Sequence, residues 1–406
     1  MLSREDLSKE ALKLFKQNKN IILKWGTGLG KSCASIKIIE YLRLFRLKPK
    51  ILLVVAERAH KSNWQKEFDK WGSDYSDITM ECYASLKNYR GTNWDLIIFD
   101  EAHHLGSDLR LDIISSIKAS HIILLSATLP RNLIDNLTDI FGKFGMSAVT
   151  LNQAIESNVL PKPRVFLIPL KLDNSNKDQE IIEEWGKKEK RIEIKCTYYD
   201  RWTYLKNKRL YPNVTLRISC TQKQKYDNLS DKFSYWKNFY LRTRQEYAKN
   251  LWLQAGSLRK KFLGECKTEY VKILLNQIKD KRYICFCSSI EQAELLGGAN
   301  SIHSKKDNSL SIIEDFNSKK IDSLFAVGML QEGQNLTNIE AGIIVQLDGQ
   351  ERAFIQKFGR SMRSEDPIQF IFYYKNTRDE EYLDSILDNI DEKFIYTIND
   401  INNFSI

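Results

Sequence analysis

Residues 21–32 decide the fold, and they read IILKWGTGLGKS. The apolar run Ile21–Lys24 is typical of a buried parallel strand, and the helix-forming sequence Cys33–Leu42 follows the glycines. A strand, a glycine loop and a helix in this order predict a phosphate-binding loop, because glycines let backbone N–H groups turn toward phosphate oxygens. The opposing interpretation is a glycine-rich turn followed by a solvated lysine.

Each polar group of this loop has an expected role. Lys31 can reach the β- and γ-phosphates of a nucleotide, and the Ser32 hydroxyl can ligate Mg²⁺. The remaining candidate phosphate contacts are Gly26, Thr27, Gly28 and Gly30. Trp25 occupies the first position of the usual G-x-x-x-x-G-K-[ST] pattern, and this departure spares the glycines nearest the phosphates.

A pair of carboxylates follows another buried strand. The apolar run Leu96–Phe99 ends in Asp100-Glu101-Ala102-His103. Carboxylates at the C-terminal end of a parallel strand face the nucleotide crevice. Asp100 is expected to hold Mg²⁺, and Glu101 to orient and deprotonate the attacking water. The alternative is that both acidic residues only cap the next helix.

Apolar runs form two groups along the chain. The first group is Ile21–Lys24, Ile51–Val55, Leu96–Phe99 and His121–Leu125; the second is Val165–Leu170, Tyr283–Cys287, Ser323–Val327, Gly342–Gln346 and Ile368–Tyr373. They predict two α/β domains with parallel sheets, at about residues 1–163 and 164–406. Residues 175–265 differ in composition, and we expect a helical and partly β insertion within the second domain.

These motifs, in this order, resemble those of superfamily 2 helicases of the DEAH-type branch, which includes phage and repair helicases and chromatin-remodelling translocases. The family resemblance implies two RecA-like domains that close on ATP and Mg²⁺ in the cleft between them. Ser126-Ala127-Thr128 resembles the family's coupling motif, so Ser126 and Thr128 are expected to link hydrolysis to domain movement. His103 is expected to relay the nucleotide state. Residues 64–68, WQKEF, resemble the helix beyond the family's first strand-contacting motif.

Two further motifs lie near the C-terminus. Residues 331–336, QEGQNL, resemble the family's fifth motif, which implies a nucleotide contact at Gly333 and a nucleic-acid contact at Asn335. Residues 356–363, QKFGRSMR, resemble the sixth motif and add Gln356 to the catalytic set. Arg360 and Arg363 lie three residues apart on one helical face and are the arginine-finger candidates. The alternative is that both arginines lie on a solvated helix surface.

The charge of the chain favours a polyanionic partner. The formal net charge is +10, and residues 186–262 contain 20 Lys or Arg against 6 Asp or Glu, interleaved with aromatic residues. This mixture suits nucleic acid, and Lys206, Lys208 and Arg209 are the predicted contacts. The alternative is that the aromatic residues form a core and the lysines a solvated face.

Composition also predicts what the protein lacks. The seven cysteines show no paired C-x-x-C spacing, so no structural zinc and no disulfide framework are expected. No stretch approaches the roughly 20 apolar residues of a membrane helix, and the N-terminus has no apolar signal region. We expect a cytoplasmic protein without a membrane partner, in the host cytoplasm if a phage encodes it.

The sequence therefore predicts an ATP-hydrolysing helicase or translocase. DNA is favoured over RNA because the motifs resemble those of repair and phage helicases more than those of Asp-Glu-Ala-Asp RNA unwinders. An RNA helicase shares every ATPase residue, and selection between DNA and RNA rests on groove geometry and 2′-hydroxyl contacts that no motif here encodes. An ATP-gated nucleic-acid clamp without strand separation is the other alternative.

Overall fold

The computed structural model describes residues 3–26, 28–328, 336–347, 358–359, 364–387 and 390–404. Its first half is built on one parallel sheet. The strands are β1 (Asn20–Trp25), β2 (Ile51–Val55), β3 (Ile78–Cys82), β4 (Asn93–Asp100), β5 (Lys118–Ser126) and β6 (Phe144–Val149). Their order is β3-β2-β4-β5-β1-β6, with every pair parallel. The carboxyl ends of β4, β5 and β1 therefore lie side by side.

Helices precede, connect and follow these strands. They are α1 (Arg4–Gln17), α2 (Lys31–Arg43), α3 (Arg58–Trp71), α4 (Asp108–Ser115), α5 (Arg131–Phe141) and α6 (Leu151–Glu156). All residues of β2 are buried, as expected for a central parallel strand covered on both faces. A capping box, in which Ser3 and Asp6 exchange hydrogen bonds, begins α1.

The chain then forms a strand and a separate small subdomain. Its elements are β7 (Arg164–Leu170), β8 (Gln179–Trp185), β9 (Ile192–Thr197), α7 (Arg201–Lys206), β10 (Val214–Cys220), α8 (Gln222–Thr243) and α9 (Glu246–Cys266). Strands β8, β10 and β9 make a small mixed sheet. Helices α8 and α9 form an antiparallel pair, in which the rings of Phe233 and Trp252 lie 6.0 Å apart.

A second parallel sheet includes β7 and the strands of the C-terminal part. The further elements are α10 (Thr268–Gln277), β11 (Tyr283–Phe286), α11 (Ile290–Gly297), β12 (Ser301–Ile302), α12 (Ser309–Asn317), β13 (Ser323–Ala326), β14 (Ala341–Ile344), β15 (Ile368–Tyr374), α13 (Arg378–Leu387) and β16 (Ile395–Thr397). The strand order is β12-β13-β11-β14-β15-β7-β16, again all parallel. The predicted α/β class with two parallel sheets is confirmed.

A buried ion pair ties the second sheet to its helices. Lys267 and Asp379 are both fully buried, and Lys267 Nζ lies 2.6 Å from Asp379 Oδ2. The ammonium also donates to the carbonyl oxygens of Val345 and Phe372. Burial lowers the pKa of Lys267, and the Asp379 carboxylate opposes that change. The pair joins the start of α10 to the ends of β14 and β15.

In the described part of the chain, no helix is both long and apolar enough to span a bilayer.

Candidate active site

The predicted phosphate loop joins β1 to α2. Gly28 and Gly30 have φ angles of +84° and +88°, a left-handed conformation that favours glycine. Gly30 is the N-cap of α2, so Lys31 and Ser32 form its first residues. The unpaired N–H groups and positive dipole end of a helix attract phosphate. Gly26 lies between β1 and this turn, and Thr27 lies outside the described residues.

Trp25 explains how the loop tolerates a residue other than glycine at its first position. Its indole is fully buried and donates from Nε1 to Ser147 Oγ at 2.9 Å on the neighbouring strand β6. Its carbonyl oxygen accepts a 2.9 Å hydrogen bond from Lys31 Nζ, and that of Gly26 accepts one of 3.3 Å. Trp25 is therefore a core residue whose backbone holds the lysine at the loop.

The two carboxylates stand at the end of β4. Asp100 accepts hydrogen bonds from Trp64 Nε1 at 2.8 Å and from the backbone N–H of Glu101 at 3.0 Å. Glu101 has a φ of +51°, which is uncommon for a residue with a side chain. Burial raises the pKa of the Asp100 carboxyl, and the charge of Glu101 raises it further. A divalent cation would relieve this repulsion.

The residues present fit Mg²⁺ bound together with a nucleotide. Asp100, Glu101 and Ser32 line one cavity of about 170 Å³. Mg²⁺ prefers oxygen ligands and is usually held by one or two protein groups plus substrate phosphates and water. Among the described residues, no cluster of three or more His, Cys, Asp or Glu side chains could hold a metal alone. Ser32 and Asp100 therefore suit a metal whose remaining ligands come from phosphates.

A line of polar contacts connects Glu101 with the end of β5. His103 Nδ1 lies 3.3 Å from Glu101 Oε2 and 3.3 Å from Ser126 Oγ. Ser126 Oγ donates to the carbonyl oxygen of Thr128 at 2.7 Å, which uses its single hydrogen. His103 Nδ1 must then carry the proton in its contact with Ser126. The structure thus brings together Glu101, His103, Ser126 and Thr128, because β4 and β5 are neighbours.

Helix α3 contributes two side chains to which the motifs assign no role. Trp64 holds Asp100, and His60 lines the cavity with Ser32 and Asp100. They lie four residues apart and share one helical face. That spacing, in the helix after a strand adjacent to β4, is the signal that could have identified them.

Five predicted residues of the C-terminal motifs lie outside the described residues. They are Gly333, Asn335, Gln356, Arg360 and Arg363. Their roles stay predictions.

The predicted nucleic-acid contacts lie in the subdomain between β7 and α10. Lys206 ends α7, Lys208 and Arg209 follow it, and all three are exposed. Among the described residues, none of the three forms an ion pair within 4.0 Å. Arg217 and Lys232 of the same subdomain do form such pairs, with glutamates. Lys206 Nζ and Lys208 Nζ lie 5.8 and 5.0 Å from the ring centroids of Trp202 and Trp185. All three charges therefore remain available to an anionic partner.

The aromatic residues of this subdomain fall into two groups. Tyr198, Tyr204 and Tyr211 pack against the core of the small sheet. Tyr199 and Tyr235 are 73% and 59% exposed. Part of the aromatic content is thus core, as the structural alternative expected, and part faces solvent.

Together, the fold and site define a two-sheet protein with a phosphate-binding loop and an acidic pair in its first half. The family model described as "Type III restriction enzyme, res subunit" matches residues 4–90 and 81–131. The model described as "Helicase conserved C-terminal domain" matches residues 266–365. These matches fall on the first and second parallel sheets respectively. Both matches support the predicted relationship to the superfamily 2 helicases.

Two characterised relatives share part of the sequence. The DNA 3'-5' translocase XPB2 of Sulfurisphaera tokodaii is 22% identical over 397 residues, which cover 89% of this chain and 79% of that protein. The ISWI chromatin-remodeling complex ATPase ISW1 of Saccharomyces cerevisiae is 25% identical over 109 residues, which cover 20% of this chain and 10% of that protein.

Solved structures show the same fold. The Pyrococcus furiosus Hef helicase domain has a TM-score of 0.50 at 14% identity, covering 94% of this chain and 97% of that one. S. cerevisiae Dbp5 bound to RNA and ADP BeF3 has a TM-score of 0.54 at 12% identity, covering 97% and 89%. The likeness to both solved structures agrees with the expected RecA-like architecture.

Proposed function

We propose that this protein is an ATP-dependent helicase or translocase that acts on DNA. The proposal rests on one observation: polar contacts connect Glu101 through His103 to Ser126 and Thr128. It connects the candidate hydrolytic carboxylate to a loop that leaves the neighbouring strand. Such a connection suits an enzyme that converts hydrolysis into movement.

The proposed reaction is the hydrolysis of ATP. Lys31 would leave the Trp25 and Gly26 carbonyls to contact the phosphates, and Ser32 and Asp100 would hold Mg²⁺. The metal supplies charge neutralisation on the phosphate oxygens. Glu101 would orient the attacking water and accept its proton, while the positive end of α2 stabilises phosphate charge.

The second domain would complete the site. We assign residues 1–163 and 164–406 to two domains, with an insertion at 175–265. Arg360 and Arg363 would neutralise the transferred phosphoryl group from the opposite side of the cleft, with Gln356 beside them. Gly333 would contact the nucleotide. Closure on ATP and reopening after hydrolysis would change the grip on a strand.

The relatives favour DNA over RNA as the partner. XPB2, with 22% identity over 89% of this chain, is a DNA translocase by its name. The Dbp5 structure is bound to RNA, but its 12% identity supports a likeness of fold alone. The exposed Lys206, Lys208 and Arg209 would contact phosphates of the DNA backbone, and Asn335 would add a contact from the second domain.

Charge reversal tests the proposed DNA surface. The triple variant Lys206→Glu, Lys208→Glu and Arg209→Glu should bind DNA more weakly at low salt and with a flatter salt dependence, because fewer counterions are released. Its ATPase rate without DNA should be unchanged. The matched control is Lys249→Glu, since Lys249 already pairs with Glu246. Unchanged affinity and salt slope in the triple variant would remove this surface from the proposal.

Steady-state ATPase measurements test the function itself. We expect hydrolysis that duplex or single-stranded DNA stimulates, together with ATP-dependent displacement of a blocking strand or protein. Stimulation by RNA alone would favour an RNA helicase. ATP-dependent DNA binding without turnover would favour a clamp, and it would contradict the proposed motor.

A further inference from the structure

His60 is a buried side chain with unused hydrogen-bonding capacity. The residue is 4% exposed, and among the described residues neither of its ring nitrogens has a hydrogen-bond partner. Neutral imidazole contains one donor and one acceptor nitrogen. Because burial removes both from water, leaving them unpaired destabilises the folded protein. A partner that arrives only with a ligand would explain the position.

The surroundings of His60 identify that ligand. His60 lines the 170 Å³ cavity together with Ser32, Asp100 and Glu101. It also stands one helical turn before Trp64, whose indole bonds to Asp100 Oδ2. The same face of α3 therefore presents a nitrogen donor to the Asp100 carboxylate and places the His60 side chain against the cavity beside it.

We infer that His60 is an additional residue of the nucleotide site, which hydrogen-bonds to the water shell of nucleotide-bound Mg²⁺. Mg²⁺ dehydrates reluctantly and keeps several waters when phosphates bind it. Each such water can donate a strong hydrogen bond to the acceptor nitrogen of the imidazole. The inference rests on the proposed metal ligands Ser32 and Asp100.

The consequence is a preference for the metal-bound nucleotide. An apolar side chain at position 60 would cover the same space but offer no acceptor to a metal-bound water. Outer hydrogen bonds of this kind typically change metal affinity by about 10- to 100-fold. His60 would therefore strengthen binding of the Mg²⁺ complex and leave binding of the metal-free nucleotide unaffected.

Binding of a non-hydrolysable ATP analogue, measured with Mg²⁺ and with EDTA, tests this inference. His60→Leu should weaken the Mg²⁺-dependent affinity by about 10-fold and leave the affinity in EDTA at the wild-type value. His60→Asn keeps an amide oxygen as acceptor and should lose less. The control His303→Leu changes another buried histidine, which contacts Glu294 at 3.3 Å, and should not alter the metal preference.

Unfolding of the ligand-free protein separates this role from a structural one. His60→Leu removes an unpaired buried polar group, so its unfolding temperature should equal or exceed that of wild type. A lower unfolding temperature with an intact Mg²⁺ preference would make His60 structural and overturn the inference. Equal losses of analogue affinity with Mg²⁺ and with EDTA would also overturn the inference. A wild-type protein that binds no nucleotide would instead refute the proposed ATPase, and the His60 role with it.

Discussion

The indole Nε1 of Trp64 donates a 2.8 Å hydrogen bond to Asp100 Oδ2. The two residues lie 36 positions apart, and the sheet order explains their meeting. Strand β2 pairs with β4, and α3 begins just beyond β2. The helix therefore lies beside the end of β4, where it holds the carboxylate that would bind Mg²⁺.

Trp64→Phe tests this contact. Phenylalanine keeps an aromatic ring in the buried position but removes the donor, so Asp100 loses one of its partners. The Mg²⁺ concentration required for half-maximal ATPase should rise by about 10-fold, as for other residues that orient metal ligands. Trp71→Phe, on the same helix but 47% exposed, is the matched control. An unchanged Mg²⁺ requirement would show that the bond does not orient Asp100.

The charge of Glu101 should cost stability in the ligand-free protein. Burial and this charge together raise the pKa of Asp100, so the two ionised carboxylates repel each other in the folded state. Glu101→Gln should therefore raise the unfolding temperature at neutral pH. The gain should disappear as the pH falls through the raised pKa of Asp100, where protonation removes the repulsion. Thermal unfolding at a series of pH values measures this, and a pH-independent difference would contradict it.

Ser126→Ala should weaken the link between hydrolysis and movement. The substitution removes the oxygen that contacts His103 and the backbone of Thr128. We therefore expect the rate of DNA translocation to fall by a larger factor than the DNA-free ATPase rate. Ser120→Ala, at the other end of β5, should leave both rates unchanged. If the translocation rate and the ATPase rate of Ser126→Ala fell in the same proportion, this would contradict a coupling role.

The buried pair Lys267 and Asp379 should dominate the stability of the second sheet. Asp379→Ala leaves a buried ammonium without its counter-charge and should cost about 3–5 kcal/mol of unfolding free energy. Replacing both residues, as Lys267→Met with Asp379→Leu, should recover most of that loss. Chemical denaturation provides the measurement. Lys249→Ala, which breaks an exposed pair, should leave the unfolding free energy nearly unchanged. A double variant as unstable as Asp379→Ala would contradict this explanation.

The central strands could be predicted because buried parallel strands are continuously apolar, as in β2 with its sequence ILLVV. Strands β3 and β6 escaped prediction because they form the two edges of the first sheet. Only Ile78 of β3 is buried, so its apolar run is broken. The insertion was expected to be partly β, but the strands of its small sheet could not be located, since β8, for example, contains the charged, half-exposed sequence QEIIEEW.

Some residues of the candidate site could likewise be predicted from the sequence, and others could not. Lys31, Ser32, Asp100 and Glu101 could be named from local motifs, because each pair lies in a short motif that follows a predicted strand. The contribution of α3 could not, because the bond from Trp64 to Asp100 depends on how a helix packs beside a strand distant in sequence. Trp25 could be recognised as a departure from the glycine pattern, but its role required the indole bond to Ser147.

Turnover of Glu101→Gln tests whether Glu101 is the hydrolytic base. The variant keeps the shape of the side chain and removes the proton acceptor. It should bind ATP with Mg²⁺ about as tightly as wild type and hydrolyse it about 10²- to 10⁴-fold more slowly in the presence of DNA. Hydrolysis by this variant at the wild-type rate would show that Glu101 is not the base.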